Sequence, residues 1–340
     1  MPQEFCSREE GAGMKLATIN DGSRDGVLAV VNVELSHAVF VPAIARTMQS
    51  ALDNWAMVEP HLKSVAAMLE AEQLPDAFPF DQKQAHSPLP RAYQWSEGSV
   101  YLAHLERCRR ATNRDLPQSL YTEIGMYQGG SDGFFPPQAP IPVRDDSWDI
   151  DLEAGICVIT DDVPMGVSVS DAAQHIKLVM LTNDVSLRRL QPQEMAKGLG
   201  VLQCKPASSF SPVAVSVDSL GDAWTGTMLA RPVKSYINDV LLGEPEGHID
   251  ASFEFPQLIA HLAKTRNIAA GSIIGAGTVA NRDESKGTSC ILEKRALEIL
   301  ATGSPKTPFL KYGDRVRIEC LDKDGLSLFG AIDQQVIAAE

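Results

Sequence analysis

No apolar run in this 340-residue chain approaches the roughly 20 residues needed to cross a bilayer, so a membrane-spanning helix is excluded. Basic charge is also short: 30 Lys and Arg stand against 44 Asp and Glu, a formal net charge of −14. Nucleic-acid binding draws on a basic face that replaces phosphate counterions, and nothing here suggests one. A few local Arg and Lys side chains could still receive an anionic substrate. Paired cysteines are missing. Cys6, Cys108, Cys157, Cys204, Cys290 and Cys320 are scattered without a C-x-x-C pair, which argues against both a zinc site and a disulfide framework. Buried free thiols in a reducing compartment, the cytoplasm, are expected. The chain has no H-x₃-H or H-E-x-x-H pattern. Met1 to Gly13 lack the basic start and apolar core of a signal peptide and read as a disordered leader.

What is present reads as two parts. Residues 14–85 hold short apolar runs such as Val27 to Val33, then Val58, Leu62, Val65 and Leu69 at helical spacing. They read as a small N-terminal β domain with one helix. Leu74 to Arg91, with Pro75, Pro79, Pro88 and Pro90, reads as the linker. Residues 86–340 carry strand-like runs at Ile150–Thr160, Leu178–Asp184, Val213–Val217 and Arg315–Cys320, and helical patterns at Ser99–Ala111 and Ser252–Thr265. Strands and helices do not alternate regularly, so a β-rich α+β fold is expected over a doubly wound sheet.

Gly275-Ala276-Gly277-Thr278-Val279-Ala280 matches the dinucleotide fingerprint G-x-G-x-x-A. That fingerprint needs a helix directly after the glycines to receive the pyrophosphate. Polar Asn281 to Gly287 follows instead, so the better reading is a glycine turn where backbone approaches a ligand.

Along Trp148 to Thr160, Asp149, Asp151, Glu153, Gly155 and Cys157 share one strand face. Such an acidic stripe is often only a solvated face. The apolar run from Leu178 ends in Asn183-Asp184, with Arg188 four residues on. That is either a site edge or an Asx turn. Ile-Asp-Leu-Glu-Ala at 150–154, Asn183 to Arg188, Lys205-Pro206, Gly277-Thr278, Leu292-Glu293 and Tyr312 to Val316 occur in the order found in the fumarylacetoacetate hydrolase family. From Tyr93 onward the chain resembles that family, which cleaves carbon–carbon bonds in diketo acids.

The resemblance implies a fumarylacetoacetase-type rolled mixed β-sheet, a homodimer and a small keto-acid substrate from aromatic-compound breakdown. It also implies a divalent cation, Mg²⁺ or alternatively Mn²⁺ or Ca²⁺, held by oxygen ligands. Carried over by position, the metal carboxylates are Glu97, Glu153 and Asp184. His104 is the catalytic His, Glu293 the acid that orients it, and Lys205 the cation near the carbonyl oxygen. Tyr127, Arg188, Gln191, Gly277 and Thr278 fall at substrate-contacting positions. Two helical turns would put Glu97 and His104 on one side of a helix.

The family pattern carried over here has Glu where this chain has Gly155, which would weaken the metal site. Asp151, about 7 Å further along the strand, could reach in only if the register shifts. A hydrolase assisted by a metal and a His-Glu activated water is therefore the first expectation. Alternatives are a decarboxylase, hydratase, isomerase or cyclase on the same scaffold, or a non-catalytic binding protein descended from an enzyme.

Overall fold

A computed structural model describes residues 13–339. The leader expected over Met1 to Gly13 therefore lies outside the described residues, apart from Gly13. No helix among the described residues is long and apolar enough to cross a membrane.

The chain begins with an antiparallel meander, β1 (Lys15–Ile19), β2 (Val27–Val31) and β3 (His37–Phe40). Helix α1 (Trp55–Glu70) follows and buries Trp55, Val58, Leu62, Ala66 and Leu69. This is the face that the four-three-four spacing predicts, with Val65 only partly buried. Each fully buried Leu contributes roughly 1.5–3 kcal/mol. Beyond residue 91 come β4 (Trp95–Gly98), α2 (Leu102–Arg110), β5 (Met126–Gln128), β6 (Ile150–Asp151), β7 (Ala154–Thr160) and β8 (Ile176–Asn183). They are followed by β9 (Val213–Ser216), α3 (Phe255–Leu262), β10 (Ile273–Thr278) and α4 (Ile291–Thr302).

One eleven-stranded sheet organises these elements. It runs from the short strand Phe78–Pro79 through β3, β2, β1, β9, β8, β7, β10 and β4 to β5, with Ser209–Phe210 pairing β8 to the side. The N-terminal meander joins the later strands directly, Leu16 beside Ala214. Neighbours are antiparallel except β10 and β4, a parallel pair that sets Gly275 beside Glu97. A five-stranded sheet, from Val240–Gly243 at one edge to Ile141–Val143 at the other, completes a sheet-rich α+β fold.

Both faces of the large sheet are covered. In β7, Ile156 and Val158 join a core with Val179, Leu181 and Ile274, while Cys157 and Ile159 join another with Leu178, Met180 and Ile273. Phe255, Leu258 and Ile259 of α3 belong to the first core, and α1 belongs to the second. A strand buried on both faces needs an unbroken apolar run, as Leu178 to Leu181 supplies. The stripe is accordingly not a solvated face: Asp151, Glu153, Gly155 and Cys157 are buried, and only Asp149 is partly exposed. The single strand expected over 150–160 is two. It breaks at Leu152-Glu153, where β6 departs to pair with Ser186-Leu187 and the Glu153 backbone bridges to Cys290.

Candidate active site

The break between β6 and β7, the end of β8 and the parallel β4–β10 pair bring three carboxylates into one buried region. Glu97 sits in β4, a strand, and not on a helix face shared with His104; α2 begins only at Leu102. Its Oε2 is buried without a hydrogen-bond partner. Burial first, and then the Asp184 carboxylate, push its pKa well above the usual range.

Glu153 is fully engaged. It accepts from Ser186 Oγ at 2.6 Å, Thr278 Oγ1 at 2.5 Å and Lys205 Nζ at 3.1 Å. Burial works to raise its pKa, but Arg188 and then Lys205 hold it well below the ordinary value. Asp184 accepts from Ser208 Oγ at 2.9 Å, from Lys205 Nζ at 2.6 Å and from the Tyr127 hydroxyl. Lys205 thus lies between Glu153 and Asp184, with its ammonium 5.3 Å from the Tyr127 ring centre. Burial opposes its charge, and the Asp184 and Glu153 carboxylates restore it.

Arg188 is expected to meet substrate, but the structure turns it inward. Its Nη2 lies 2.8 Å from Asp151 Oδ2 and 2.7 Å from Glu153 Oε1. Asp151 in turn accepts from the backbone N–H groups of Ile291 and Leu292 at the start of α4, at 2.7 and 3.0 Å. The carboxylate suits the positive end of that helix. Asp151 therefore stays outside the carboxylate region but is tied to it through Arg188. Gln191 opens the short helix Gln191–Met195 and makes no side-chain hydrogen bond to these groups.

Helix α4 carries Glu293, which is completely buried. Its Oε2 lies 3.0 Å from His104 Nδ1, and its Oε1 accepts from Arg107 Nη1 at 2.6 Å. Arg107 is three residues after His104 on α2, a spacing that puts both on one helix face. Cys108 Sγ and Cys290 Sγ each lie 3.9 Å from the same His104 nitrogen. Burial disfavours the imidazolium, but Cys108 and Cys290 act the other way and the net displacement of its pKa is upward. The Glu153–Cys290 backbone bridge makes the His104 group and the carboxylate region adjoin.

The glycines have spatial reasons. A Cβ on Gly155 would lie 2.9 Å from Thr182 Cγ2, 3.1 Å from the Gly277 carbonyl and 3.4 Å from Glu97 Oε1. Position 155 faces the carboxylates, as the strand alternation implies, but the neighbouring strands close on it. Packing alone accounts for its small size. Gly275 is not in a turn: it lies in β10 beneath Glu97. Gly277 has φ +98 and a Cβ there would fall 2.6 Å from the Gly98 carbonyl, so only glycine fits. With no helix following, the dinucleotide fingerprint lacks its phosphate seat.

The oxygen donors and the unpartnered Glu97 Oε2 suit a hard cation. As the side chains stand, however, the group of three His, Cys or acidic residues among the described residues whose ligand atoms all fall within 4.8 Å of one another is His104, Cys290 and Glu293. Neither Arg107 nor the two thiols belongs to a motif legible in the sequence. The i, i+3 and i, i+4 spacing of Arg107 and Cys108 from His104 was the available signal.

Two family models match the chain. One is described as fumarylacetoacetate (FAA) hydrolase C-terminal, over residues 94–337, and the other as fumarylacetoacetase N-terminal domain 2, over residues 14–91. Fumarylacetoacetase of Caenorhabditis elegans is 29% identical over 235 residues, 60% of this chain and 56% of the relative. The match thus spans little more than half of that relative. Among solved structures, maleylpyruvate hydrolase from Sphingobium sp. SYK-6, in complex with manganese(II) and pyruvate, aligns with TM-score 0.61 and 15% identity, covering 96% of this chain and 100% of that one. Fumarylacetoacetate hydrolase from Exiguobacterium antarcticum aligns with TM-score 0.61 and 15% identity, covering 96% and 99%. At these identities the structural likeness concerns the fold.

Proposed function

Because the chain belongs to the fumarylacetoacetate hydrolase family, we propose that it hydrolyses a carbon–carbon bond in a diketo acid of the fumarylacetoacetate or acylpyruvate type. The observation that carries this reading is the 3.0 Å contact between His104 Nδ1 and the buried Glu293, whose other oxygen is taken by Arg107. Glu293 fixes the ring so that Nδ1 carries the proton and Nε2 is the basic nitrogen. Nε2 takes a proton from water as the water oxygen bonds to the substrate carbonyl carbon. The carbon–carbon bond then breaks, its electron pair passes to the departing carbon as an enolate, and the proton returns from His104 to that carbon. Lys205 supplies positive charge where oxygen becomes negative. Tyr127 and Thr278 hold Asp184 and Glu153 in place.

Glu97, Glu153 and Asp184 would hold a divalent cation, Mg²⁺, Mn²⁺ or Ca²⁺, which when bound polarises the carbonyl and offsets enolate charge. Arg188 serves Glu153 and Asp151 in this reading, not the substrate. Five cysteines are free among the described residues, in keeping with a reducing compartment such as the cytoplasm. A homodimer belongs to the same reading, and light scattering checks it.

Turnover of a fumarylacetoacetate and acylpyruvate panel with Mg²⁺ or Mn²⁺ is the direct test. Folded protein inactive on every member would remove the hydrolase reading. One feature favours a second reading, a non-hydrolytic enolate reaction on the same scaffold: the Lys205 ammonium lies between Glu153 and Asp184 and offsets part of their charge. Product analysis separates the two, since only hydrolysis splits the substrate into two acids.

A further inference from the structure

Three potential metal ligands surround one nitrogen of His104, and with that nitrogen they do not make the ligand set of a hard cation. Cys108 follows His104 by one helical turn on α2; Cys290 precedes Glu293 by three residues at the start of α4. The pattern is H-x₃-C with C-x₂-E, two short-spaced pairs on two packed helices. Cys108 Sγ and Cys290 Sγ each stand 3.9 Å from Nδ1, and Glu293 Oε2 stands at 3.0 Å. In a tetrahedral zinc site, zinc–sulfur and zinc–nitrogen bonds of ordinary length leave sulfur and nitrogen about 3.6 Å apart. The two sulfur–nitrogen distances thus need shrink by only a few tenths of an ångström; one ligand atom each of His104, Cys290 and Glu293 already lies within 4.8 Å of the others, and Cys108 swings in to complete the set. Thiolate and imidazole select zinc-like ions over Mg²⁺ or Ca²⁺.

We propose that His104, Cys108, Cys290 and Glu293 form an inhibitory site for a thiophilic divalent ion, Zn²⁺ or Cd²⁺, on the catalytic histidine itself. This goes beyond the diketo-acid reading and uses different ligands from the carboxylate region. Charge balances locally: two thiolates and one carboxylate face the dication and the Arg107 guanidinium, which stays on Glu293 Oε1. Binding releases the two thiol protons, so affinity rises with pH. The ion takes the Nδ1 lone pair, and the ring keeps its single proton on Nε2. That is the nitrogen a general base must leave free, so the bound ion silences His104 without touching Glu97, Glu153 or Asp184. The scattered cysteines disguise the site in the sequence, because its two halves lie 186 residues apart.

Cd²⁺ titration of the metal-free full chain, followed by the thiolate-to-metal charge-transfer absorbance, tests this without substrate. Its outcome is therefore independent of the hydrolase reading. The expected result is a band saturating at one equivalent, absent in the Cys108→Ser/Cys290→Ser double variant, while Mn²⁺ binding by calorimetry stays as in the parent. Cys108 is only partly buried, so Cys108→Ser alone keeps the test available if the double variant does not fold. It should weaken Cd²⁺ binding at least about tenfold. No band in the parent, or an undiminished band in the folded variants, overturns the proposal.

Discussion

Glu97 lies directly over Gly275: a Cβ on that glycine would fall 1.6 Å from Glu97 Oε2 and 2.7 Å from the Trp95 ring. The parallel pairing of β4 with β10 creates the contact. The glycine that gives the sequence its nucleotide-like appearance is thus the floor under a buried carboxylate. Gly275→Ala should displace Glu97, lower stability by about 1–3 kcal/mol and weaken Mn²⁺ binding. Gly133→Ala, where a Cβ meets nothing within 4 Å, should change neither. A lowered unfolding midpoint with unaltered Mn²⁺ affinity would show that Glu97 is not a ligand.

His104→Ala should reduce kcat about 10²–10⁴-fold with the fold intact. The pH profile offers a second check. A base must be unprotonated, and the pKa of His104 is displaced upward from the usual imidazole value of 6.5. The acid limb of kcat/KM should therefore lie above that value and activity should fall as pH drops through it. An acid limb at or below 6.5 would contradict the proposed base.

Asp151 links the two halves of the site, accepting from α4 and pairing with Arg188. Asp151→Asn removes the charge on one side of a buried ion pair, a loss on the order of 3–5 kcal/mol. Because α4 carries Glu293, kcat should fall more than KM rises. Urea unfolding and steady-state kinetics on the same variant check both. A drop in stability with unchanged kcat would confine Asp151 to a structural role.

Lys15 provides a test remote from the site. It is buried in β1, donates to the carbonyls of Val33 and Ser327, and burial lowers its pKa from 10.5 to about 8. Between those values the unfolded chain binds more protons, so stability rises with pH across the window and that gain is lost as pH falls through 8. The span corresponds to roughly 3 kcal/mol. Lys15→Met should flatten that part of the stability–pH curve. Parallel curves for parent and variant would mean the ammonium is not held as described.

Much was readable in the linear chain. Continuous apolar runs at Leu178 and Ile156 demand a sheet buried on both faces, because apolar side chains alternate outward in both directions from a strand. Helical spacing marked the buried faces of α1 and α3. Family order brought His104, Glu293, Lys205, Glu153 and Asp184 forward, and the structure draws them into one connected region. Contacts over long separations were not readable. Only tertiary structure set Glu97 in a strand above Gly275, turned Arg188 onto Asp151 and Glu153, and gathered Cys108 and Cys290 around one nitrogen. The physical reason is that periodicity reports which face a residue occupies within its own element, whereas a site depends on which elements pair and in what register. The sequence by itself determined the β-rich α+β class and the inventory of reactive groups; the packing of α2 against α4 and of β4 against β10 decided which of those groups meet.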